Sequence, residues 1–472
     1  MATECSTEPV RFQAPGRREV VAAFDGGTIS SDAGVLLLQQ ADRASGLIDR
    51  FAECFEDHRA PDRVEHSVRD LVAQRVLGLA LGYEDLNDHD DLRRDPLLAL
   101  VVGKVDLEGE GRRHQRDAGR PLAGKSTLNR LELGDPASAA SDRYKRITAD
   151  PEAISRLLVE TFLDAHPEPP GEIVLDFDAT DDPLHGRQEG RFFHGFYGCY
   201  CYLPLYVFCG EFVLCARLRE SGQDAAAGAV EELARIVSQI RQRWPEVRIT
   251  LRADSGFCRE EIMAWCEARG VDYVLGLAKN ERLKARIADA QERVRTRHEQ
   301  SGAAEREFVE FQYATLSSWS RTRRVIAKVE HLAKGANPRF VVTSLSPETL
   351  DARALYEEIY SARGEAENRI KEQQLALFAD RTSAGEFRAN QLRLWFSSVA
   401  YALLQTLRRI GLAGTRLARA QCGTIRLKLL KIGARVKVTA RKVWVSMAGG
   451  CPDSDLFAHV HRALRQCRPM RC

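Results

Sequence analysis

The clearest indication of the fold lies in LDFDATDDPLHG, residues 175–186. Its first residues continue the run EIVLDFD, whose apolar and β-branched content predicts a short strand. Side chains alternate along a strand, so Asp176 and Asp178 share one face, and Asp178 lies at the carboxyl end. Ligands of open α/β sheets bind at that end of the strands. We therefore predict a functional site around Asp178.

A second aspartate, Asp254, occupies the equivalent position in VRITLRADSGF, residues 247–257. The chain from residue 171 predicts the order β-β-β-α-β-α-β, with a hairpin at Gly210. A helix between two strands forces a crossover, so the strand ending at Asp254 is expected to run parallel to its partner. If the two strands are neighbours, Asp178 and Asp254 lie roughly 5 Å apart. Carboxylates that close repel unless a cation lies between them, and Mg²⁺ is the usual choice.

A third acidic residue lies in the helical segment YSARGEAENRIKEQQ, residues 360–374. Four residues at helical spacing share one face of this helix: Tyr360, Arg363, Glu367 and Lys371. An apolar stripe beside them suits packing on a sheet, whereas the segment alone is also compatible with an ordinary solvated, charged helix. Two Asp and one Glu can hold two Mg²⁺ ions roughly 4 Å apart for an in-line displacement at phosphorus. Together these features predict an α/β fold with an RNase H-like mixed sheet and a phosphoryl-transfer site.

Changes in composition along the chain predict five regions. They are a mainly helical amino-terminal region, the first part of the catalytic domain, a β-rich insertion, the second part with a long helix starting near residue 347, and a basic carboxy-terminal region. Their boundaries are 1–170, 171–280, 281–345, 346–410 and 411–472.

The last part of the chain is strongly basic. Between Glu386 and Asp453 there are 13 Lys and Arg and no Asp or Glu. We expect this region to face DNA phosphates, although a solvated basic face is the alternative. Trp319 in the insertion is predicted either to stack on a displaced base or to lie in the core of a small sheet. The basic residues concerned are Arg426, Lys428, Lys431, Arg435, Lys437, Arg441 and Lys442.

Two other motifs are expected to carry no chemistry. GRPLAGKST, residues 119–127, matches a phosphate-binding loop, but polar residues precede it where a buried strand is needed. A helix cap at Ser126 or Thr127 explains it, so no ATP is expected. EDLNDHDD, residues 84–91, lacks the glycine and final glutamate of a calcium loop and predicts a solvated loop with a helix cap.

Composition indicates a globular protein of the cytoplasm. The 472 residues are 44% hydrophobic and 29% charged, with a formal charge of +2. Twelve cysteines include no C-x-x-C pair, and Cys199 and Cys201 are expected to be buried thiols. The first residues lack the apolar core of a signal peptide, and the apolar run 394–407 is too short to span a bilayer. We therefore expect no membrane association and a cytoplasmic, nucleoid-associated location.

Several segments in this order resemble the DDE transposases of bacterial insertion sequences, specifically the family numbered 1380. They include FDGGTISSDAGVLLL, LGYEDLNDHDDLRRDPLLAL, LDFDATDDPLHGRQEG, RADSGF, YSARGEAENRIKE and TIRLKLLKIGA. The resemblance implies that Asp178, Asp254 and Glu367 are the catalytic, metal-binding residues. It also implies that Tyr360, Arg363 and Glu367 form the Tyr-x2-Arg-x3-Glu signature of a wider transposase group. Members of that group carry a β-rich insertion between the second Asp and the Glu.

The same resemblance implies the reaction. It is metal-dependent cleavage of DNA at terminal inverted repeats and strand transfer into target DNA, with two Mg²⁺ ions, or Mn²⁺ in their place. Double-stranded DNA and a second copy of the chain in a synaptic complex are the expected partners, and related enzymes form a hairpin at the transposon end. Tyr360, Arg363 and Lys371 are expected to contact DNA, and the amino-terminal region, residues 1–170, is expected to bind the DNA ends. The alternatives are a non-catalytic or domesticated DNA-binding protein and an RNase H-like nuclease without strand transfer.

The chain departs from the group's pattern at two places. Gln374 stands where the group usually has a lysine, so the phosphate contact is assigned to Lys371, one turn earlier. The first motif is Asp-Ala-Thr rather than Asp-Gly-Thr, which leaves Asp176 on the same strand face as an alternative ligand.

Overall fold

The computed structural model describes residues 8–13 and 16–467, which form a mixed α/β fold around one large sheet. The amino-terminal part is mainly helical, as predicted. Its elements are β1 Val10–Phe12, β2 Val20–Ala22, β3 Ile29–Ser30, α1 Val35–Ser45, α2 Leu47–Ala52, β4 Phe55–Asp57, α3 Val68–Leu81, α4 His89–Leu92, α5 Pro96–Val102, α6 Lys125–Glu132, β5 Ile147–Ala149 and α7 Pro151–Asp164.

The next part supplies the strands on which the acidic residues lie. Its elements are β6 Glu172–Ala179, β7 Asp182–Pro183, β8 Phe192–His194, β9 Cys199–Tyr202, β10 Leu205–Cys209, β11 Phe212–Arg217, α8 Ala229–Arg243, β12 Arg248–Ala253, α9 Glu260–Arg269 and β13 Asp272–Leu277. Strand β12 runs parallel to both β6 and β13, whereas β10 and β11 form an antiparallel hairpin at Gly210. The predicted crossovers and hairpin are therefore confirmed.

Residues 281–345 continue this sheet. Their elements are α10 Glu281–Arg286, α11 Ala288–Ser301, β14 Glu305–Tyr313, β15 Arg323–Leu332, β16 Gly335–Ala336 and β17 Arg339–Thr343. Strand β17 pairs with β13, so the full order is β11-β10-β6-β12-β13-β17-β15-β14, with β16 beside β15. The strands predicted as an insertion thus extend the sheet that carries the aspartates, instead of forming a small sheet of their own.

The remaining elements cover the second face of the sheet and lead into the basic region. They are α12 Ala352–Ala354, α13 Gly364–Leu377, α14 Phe387–Thr406, α15 Cys422–Ile425, β18 Ala434–Val438, β19 Val443–Met447 and α16 Ser454–Gln466. The long helix predicted from residue 347 starts at residue 352 and is interrupted. A π-helical turn, Leu355–Tyr360, and a 3-10 turn, Ser361–Arg363, separate α12 from α13.

The two faces of the sheet have separate cores because successive side chains of each strand point in opposite directions. On β10, Leu205 and Val207 pack in the core with α8 and α9. Tyr206 and Phe208 lie in the other core, where the Phe208 ring meets Tyr401 of α14 at 6.2 Å between centroids. Helix α14 also packs on α1, α2 and α3, and so joins the sheet to the amino-terminal helices.

The structure also bears on the predictions that Cys199 and Cys201 are buried thiols and that the apolar run 394–407 does not span a membrane. Cys201 is buried and Cys199 is half-buried on β9, and both are free thiols. Of the helices in residues 8–13 and 16–467, α14 included, none has the length and hydrophobicity that crossing a membrane requires.

Candidate active site

Asp178 and Asp254 lie side by side at the carboxyl edge of the sheet. In the parallel pair β6–β12, Phe177 is opposite Ala253, so the next residue of each strand is one of the two aspartates. Asp178 is buried. The Asp254 carboxylate caps the 3-10 turn that follows β12, since its Oδ1 accepts a hydrogen bond of 2.8 Å from the Gly256 amide. The strand positions predicted from the sequence therefore bring the two carboxylates together.

Gly276 on β13 allows a third element to approach this edge. A Cβ atom at Gly276 would lie 2.6 Å from the Tyr360 hydroxyl oxygen and 2.8 Å from the Ser255 backbone nitrogen. Any side chain at this position would therefore push Tyr360 or the chain after Asp254 out of place. The absence of a side chain lets Tyr360 reach across β13 towards Asp254.

The helix with Glu367 docks through its amino-terminal turns. Leu355 and Tyr356 in the π-helical turn are buried against Val274, Ile326 and Val341 of the sheet. This anchoring precedes Arg363 by two turns, so the following residues are held at the edge of the sheet.

Arg363 connects the helix to the strand ends. Its Nη2 lies 2.5 Å from Oε1 of Glu367, and its Nη1 lies 3.6 Å from Oδ2 of Asp178. The structure therefore brings Tyr360, Arg363 and Glu367 to the two aspartates. Lys371 is exposed one turn beyond Glu367, on the same helix.

The charges at this edge are unbalanced. The pKa of Asp178 is raised to about 7, mainly by burial and also by the negative charges of Asp254 and Glu367, against the lowering effect of Arg363. Burial disfavours the charged form of Arg363, but the three carboxylates outweigh it, so the pKa of Arg363 is raised. Excess negative charge is what a site for a cation or for a proton in transit requires.

Asp176 has a different role from the one considered in the sequence. Its carboxylate accepts hydrogen bonds from Nε and Nη2 of Arg252, at 2.5 and 2.7 Å. Arg252 lies directly opposite Asp176 on β12, and its Nη1 also donates to the Ile359 carbonyl at 2.5 Å. Both oxygens of Asp176 are thus engaged in a buried pair, which removes it as an alternative metal ligand.

The three carboxylates at this edge are chemically suited to bind a hard divalent ion. Asp178, Asp254 and Glu367 offer carboxylate oxygens, the ligands preferred by Mg²⁺, and they act on one another electrostatically. Within the described ranges, no three His, Cys, Asp or Glu side chains are placed to hold one ion together. Arg363 supplies the positive charge between two of the carboxylates, so an ion bound by all three requires this side chain to move.

Three of the predicted DNA contacts have partners within the protein. Trp319 is half-buried, with its ring 5.7 Å from Tyr313 and 5.5 Å from the Arg323 guanidinium carbon. Arg426 donates to the carbonyl groups of Leu79, Ala80 and Ala376, and Lys431 lies 2.7 Å from Asp32. These three side chains therefore make contacts within the fold, and their assignment as contacts to bases or phosphates stays a prediction.

Four of the other predicted basic residues are exposed. Arg435, Lys437, Arg441 and Lys442 lie on the hairpin of β18 and β19, beside the exposed Trp444 ring. Lys428 is half-buried in the π-helical turn before this hairpin. Strand β18 also pairs with β3, so the hairpin has a fixed position on the amino-terminal region.

The two motifs set aside in the sequence have structural roles. Gly124, not Ser126 or Thr127, precedes the first turn of α6, and Lys125 lies 3.1 Å from Oδ1 of Asn87. A loop and a 3-10 turn come before it, instead of the strand that a phosphate-binding loop needs. Asp85 caps a short helix through a capping box, as predicted for residues 84–91.

Sequence reasoning did not identify Tyr197 as part of this region, and it did not identify the hydrogen bonds of Gln374. Gln374 Nε2 donates to the Asp181 carbonyl at 3.3 Å and to the Asp182 carboxylate at 3.2 Å. Burial and the charges of Asp181, Asp178 and Asp254 raise the pKa of Tyr197 to about 12. The available signal was the dense run of aromatic residues and glycines between residues 192 and 202.

Comparison with known proteins completes the description of the site. No curated protein matches this chain. A family model described as the transposase DDE domain group 1 matches residues 12–469, which include all three acidic residues of the site. The chain belongs to this family of DDE transposases.

Proposed function

We propose that this protein is a DNA transposase of the insertion-sequence family numbered 1380, with an RNase H-like catalytic core. The observation that carries the proposal is that Arg363 joins Glu367 to Asp178, beside Asp254 on the neighbouring strand, in a chain that belongs to a DDE family. The reaction is cleavage of DNA at terminal inverted repeats, followed by transfer of the freed 3′-OH to target DNA. A homodimer holding both ends in a synaptic complex follows from the need to join two ends.

Asp178, Asp254 and Glu367 would hold divalent Mg²⁺, or Mn²⁺, which supplies charge stabilisation at the attacking and leaving oxygens when bound. Arg363 offers a planar fork of donors to a phosphate oxygen once it leaves Glu367. Tyr360, held over Gly276, limits where a DNA strand can pass beside Asp254. Lys371 is exposed further along the helix and would meet the backbone of the same strand.

The exposed basic hairpin is the proposed contact for DNA phosphates outside the reacting end. Each phosphate contact releases counterions, so removing one lowers the slope of log Kd against log salt by about 0.9. Replacing Arg435, Lys437, Arg441 and Lys442 by Ala should lower that slope by several such steps. Lys334→Ala is the matched control, because this lysine is exposed in the turn between β15 and β16.

The decisive experiment measures cleavage and strand transfer on duplexes that carry the ends of the element encoding this chain. With Mg²⁺, Asp254→Asn and Glu367→Gln should lower both rates roughly a thousandfold or more, since several kcal/mol of transition-state stabilisation are lost. Glu365→Gln is the control, because this exposed residue pairs with Arg369 on another side of the same helix.

The outcomes separate the competing functions. DNA binding without cleavage in the unaltered chain would indicate a non-catalytic binding protein. Cleavage without joined products would indicate a nuclease. Cleavage that survives both substitutions would show that these carboxylates do not form the active site.

A further inference from the structure

The three short strands β7, β9 and β8 form a separate antiparallel sheet, residues 182–202, which we name the aromatic finger. Four large aromatic side chains in it are exposed: Phe192 by 53%, Phe193 by 50%, Phe196 by 86% and Tyr200 by 44%. Aromatic rings concentrated on one exposed hairpin indicate a binding surface, because burial of each ring removes a large apolar area from water.

The aromatic finger begins beside the candidate active site. It follows β6 after two residues, and the chain leaving it returns at once to the sheet, where Leu205 pairs with Ala179. At its tip, the Gly198 amide donates to the His194 carbonyl at 2.8 Å, and Gly198 adopts a positive φ of 68°. The tip residue Tyr197 lies near enough to Asp178 and Asp254 for their charges to affect its phenol.

Hydrogen bonds hold the aromatic finger to the body of the protein. The Ser221 hydroxyl donates to the Phe192 carbonyl at 3.1 Å, and the Glu189 amide donates to the Gly385 carbonyl at 2.9 Å. Gln374 of α13 fixes the first strand through Asp182. The exposed rings are therefore presented on a fixed framework, so a ligand need not order them first.

The charge of the aromatic finger suits a polyanion. Arg187 and Arg191 are exposed, and the Arg191 guanidinium lies 4.6 Å from the centre of the Tyr200 ring. Its one exposed carboxylate, on Glu189, accepts a hydrogen bond of 2.9 Å from the Phe387 amide. Cationic groups interleaved with aromatic rings are typical of surfaces that bind single-stranded nucleic acid.

We propose that the aromatic finger binds unpaired bases of the DNA strand next to the reacting phosphodiester by stacking them on Phe193, Phe196 and Tyr200. This inference rests on the proposed function, since it gives that active site a second contact to the same substrate. Stacking accepts every base, so the contact selects for unpaired structure and not for sequence. It would favour DNA whose end has already lost pairing.

The test compares two DNA probes in the presence of EDTA, where binding is measured without cleavage. One is a blunt duplex, and the other is the same duplex with a single-stranded tail of about five nucleotides that contains 2-aminopurine, within the span such surfaces cover. The unaltered chain should bind the tailed duplex roughly tenfold more tightly and quench the 2-aminopurine fluorescence, as expected for one or two stacked bases.

Two variants then address the rings themselves. Phe193→Ala with Phe196→Ala should reduce the preference for the tailed duplex at least about fivefold and leave the affinity for the blunt duplex unchanged. Phe196→Trp should keep the preference because stacking survives. Phe24→Ala is the matched control, since Phe24 is as exposed as Phe196 and lies outside the aromatic finger.

Three results would overturn the proposal. The proposal fails if the double variant keeps its full preference or loses affinity equally for both probes. It also fails if light scattering shows that the double variant converts a dimer into a monomer, because the finger would then be a contact between copies of this chain. Failure of the proposed function is distinguishable, because tail preference is measured without catalysis. If the chain prefers tailed DNA through these rings but never cleaves DNA, the proposed binding surface stands and only the proposed transposase activity fails.

Discussion

Asp176 and Asp178 lie two residues apart on the same face of β6, yet their surroundings differ. In the middle of the strand, Asp176 receives two hydrogen bonds from Arg252, which is held on the neighbouring strand and by the Ile359 carbonyl. At the strand end, Asp178 faces two further carboxylates and one oxygen lies 3.6 Å from Arg363, a side chain shared with Glu367. Asp176 thus has a guanidinium partner that is held in place, whereas Asp178 shares its guanidinium partner with another carboxylate.

This difference separates structural from functional use of the same residue type. A buried charge with a fully satisfied partner stabilises one conformation and offers no free oxygen to a ligand. A buried carboxylate with too little positive charge around it has a perturbed pKa and gains from any cation that enters. The position at the end of the strand allows this, because the chain turns away and leaves space at the edge of the sheet.

The largest expected effect on stability comes from removal of the guanidinium group that pairs with Asp176. Arg252→Met leaves Asp176 buried without a partner, so the free energy of unfolding should fall by about 3–5 kcal/mol, measured by urea denaturation. Arg248→Met on the same strand is the control, because Arg248 and Glu172 form a pair that is 75% and 73% exposed. That change should cost about 1 kcal/mol or less. Equal effects of the two substitutions would show that the Asp176–Arg252 pair has no special structural role.

Asp178→Asn should stabilise the protein, in contrast to Arg252→Met. The folded chain holds the Asp178 proton up to a pKa of about 7, whereas the unfolded chain releases it near the ordinary value of 3.8. The folded state therefore loses stability as the pH rises from about 4 to about 7, and the penalty is complete above that range. In EDTA at pH 8, Asp178→Asn should raise the free energy of unfolding by about 2 kcal/mol or more, because the amide carries no charge that burial disfavours.

The pH dependence provides the control for this substitution. Near pH 4, Asp178 is protonated in the folded chain and resembles Asn, so the gain in stability should almost vanish. A gain that is the same at both pH values would point to packing and not to charge as its cause.

Much of the sheet was predictable because the relevant signals are local. Alternating apolar residues and the glycines after each run predicted β6, β10, β11, β12 and β13, and the helices between them predicted which pairs are parallel. The strand-end positions of Asp178 and Asp254 follow from the same pattern. The docking of Glu367 needed the spacing on its helix together with the resemblance to a family.

The parts that sequence reasoning missed depend on contacts between distant residues. Arg252 and Asp176 are separated by several elements, and only the register of β6 against β12 makes them partners. The sequence predicted the hairpin at Gly210, but it did not show that residues 192–202 form strands of the separate aromatic finger. Charge alone predicted DNA contacts for Arg426 and Lys431, but it did not show that Arg426 also bonds backbone carbonyl groups and that Lys431 pairs with Asp32.

A substitution of Arg363 tests whether its guanidinium group occupies the position that a bound Mg²⁺ ion would take. Without this side chain, Asp178 and Glu367 keep their mutual repulsion, so Arg363→Gln should lower the free energy of unfolding in EDTA by about 1 kcal/mol. Mg²⁺ should then restore stability more strongly than it does in the unaltered chain, because no guanidinium competes for the carboxylates. Thermal melting with and without Mg²⁺ measures both effects. If Mg²⁺ stabilises the two chains equally, Arg363 does not occupy the position of the ion.

The smallest expected effect concerns Gln374, which joins the helix of Glu367 to the start of the aromatic finger. Gln374→Ala removes two hydrogen bonds to the Asp181 carbonyl and the Asp182 carboxylate, so the free energy of unfolding should fall by about 1 kcal/mol in urea denaturation. Lys371→Ala on the same helix is exposed and should change stability by less than about 0.5 kcal/mol. Hydrogen exchange should show faster opening of residues 182–202 in Gln374→Ala alone. If exchange in this segment stays as slow as in Lys371→Ala, the other hydrogen bonds hold the finger without Gln374.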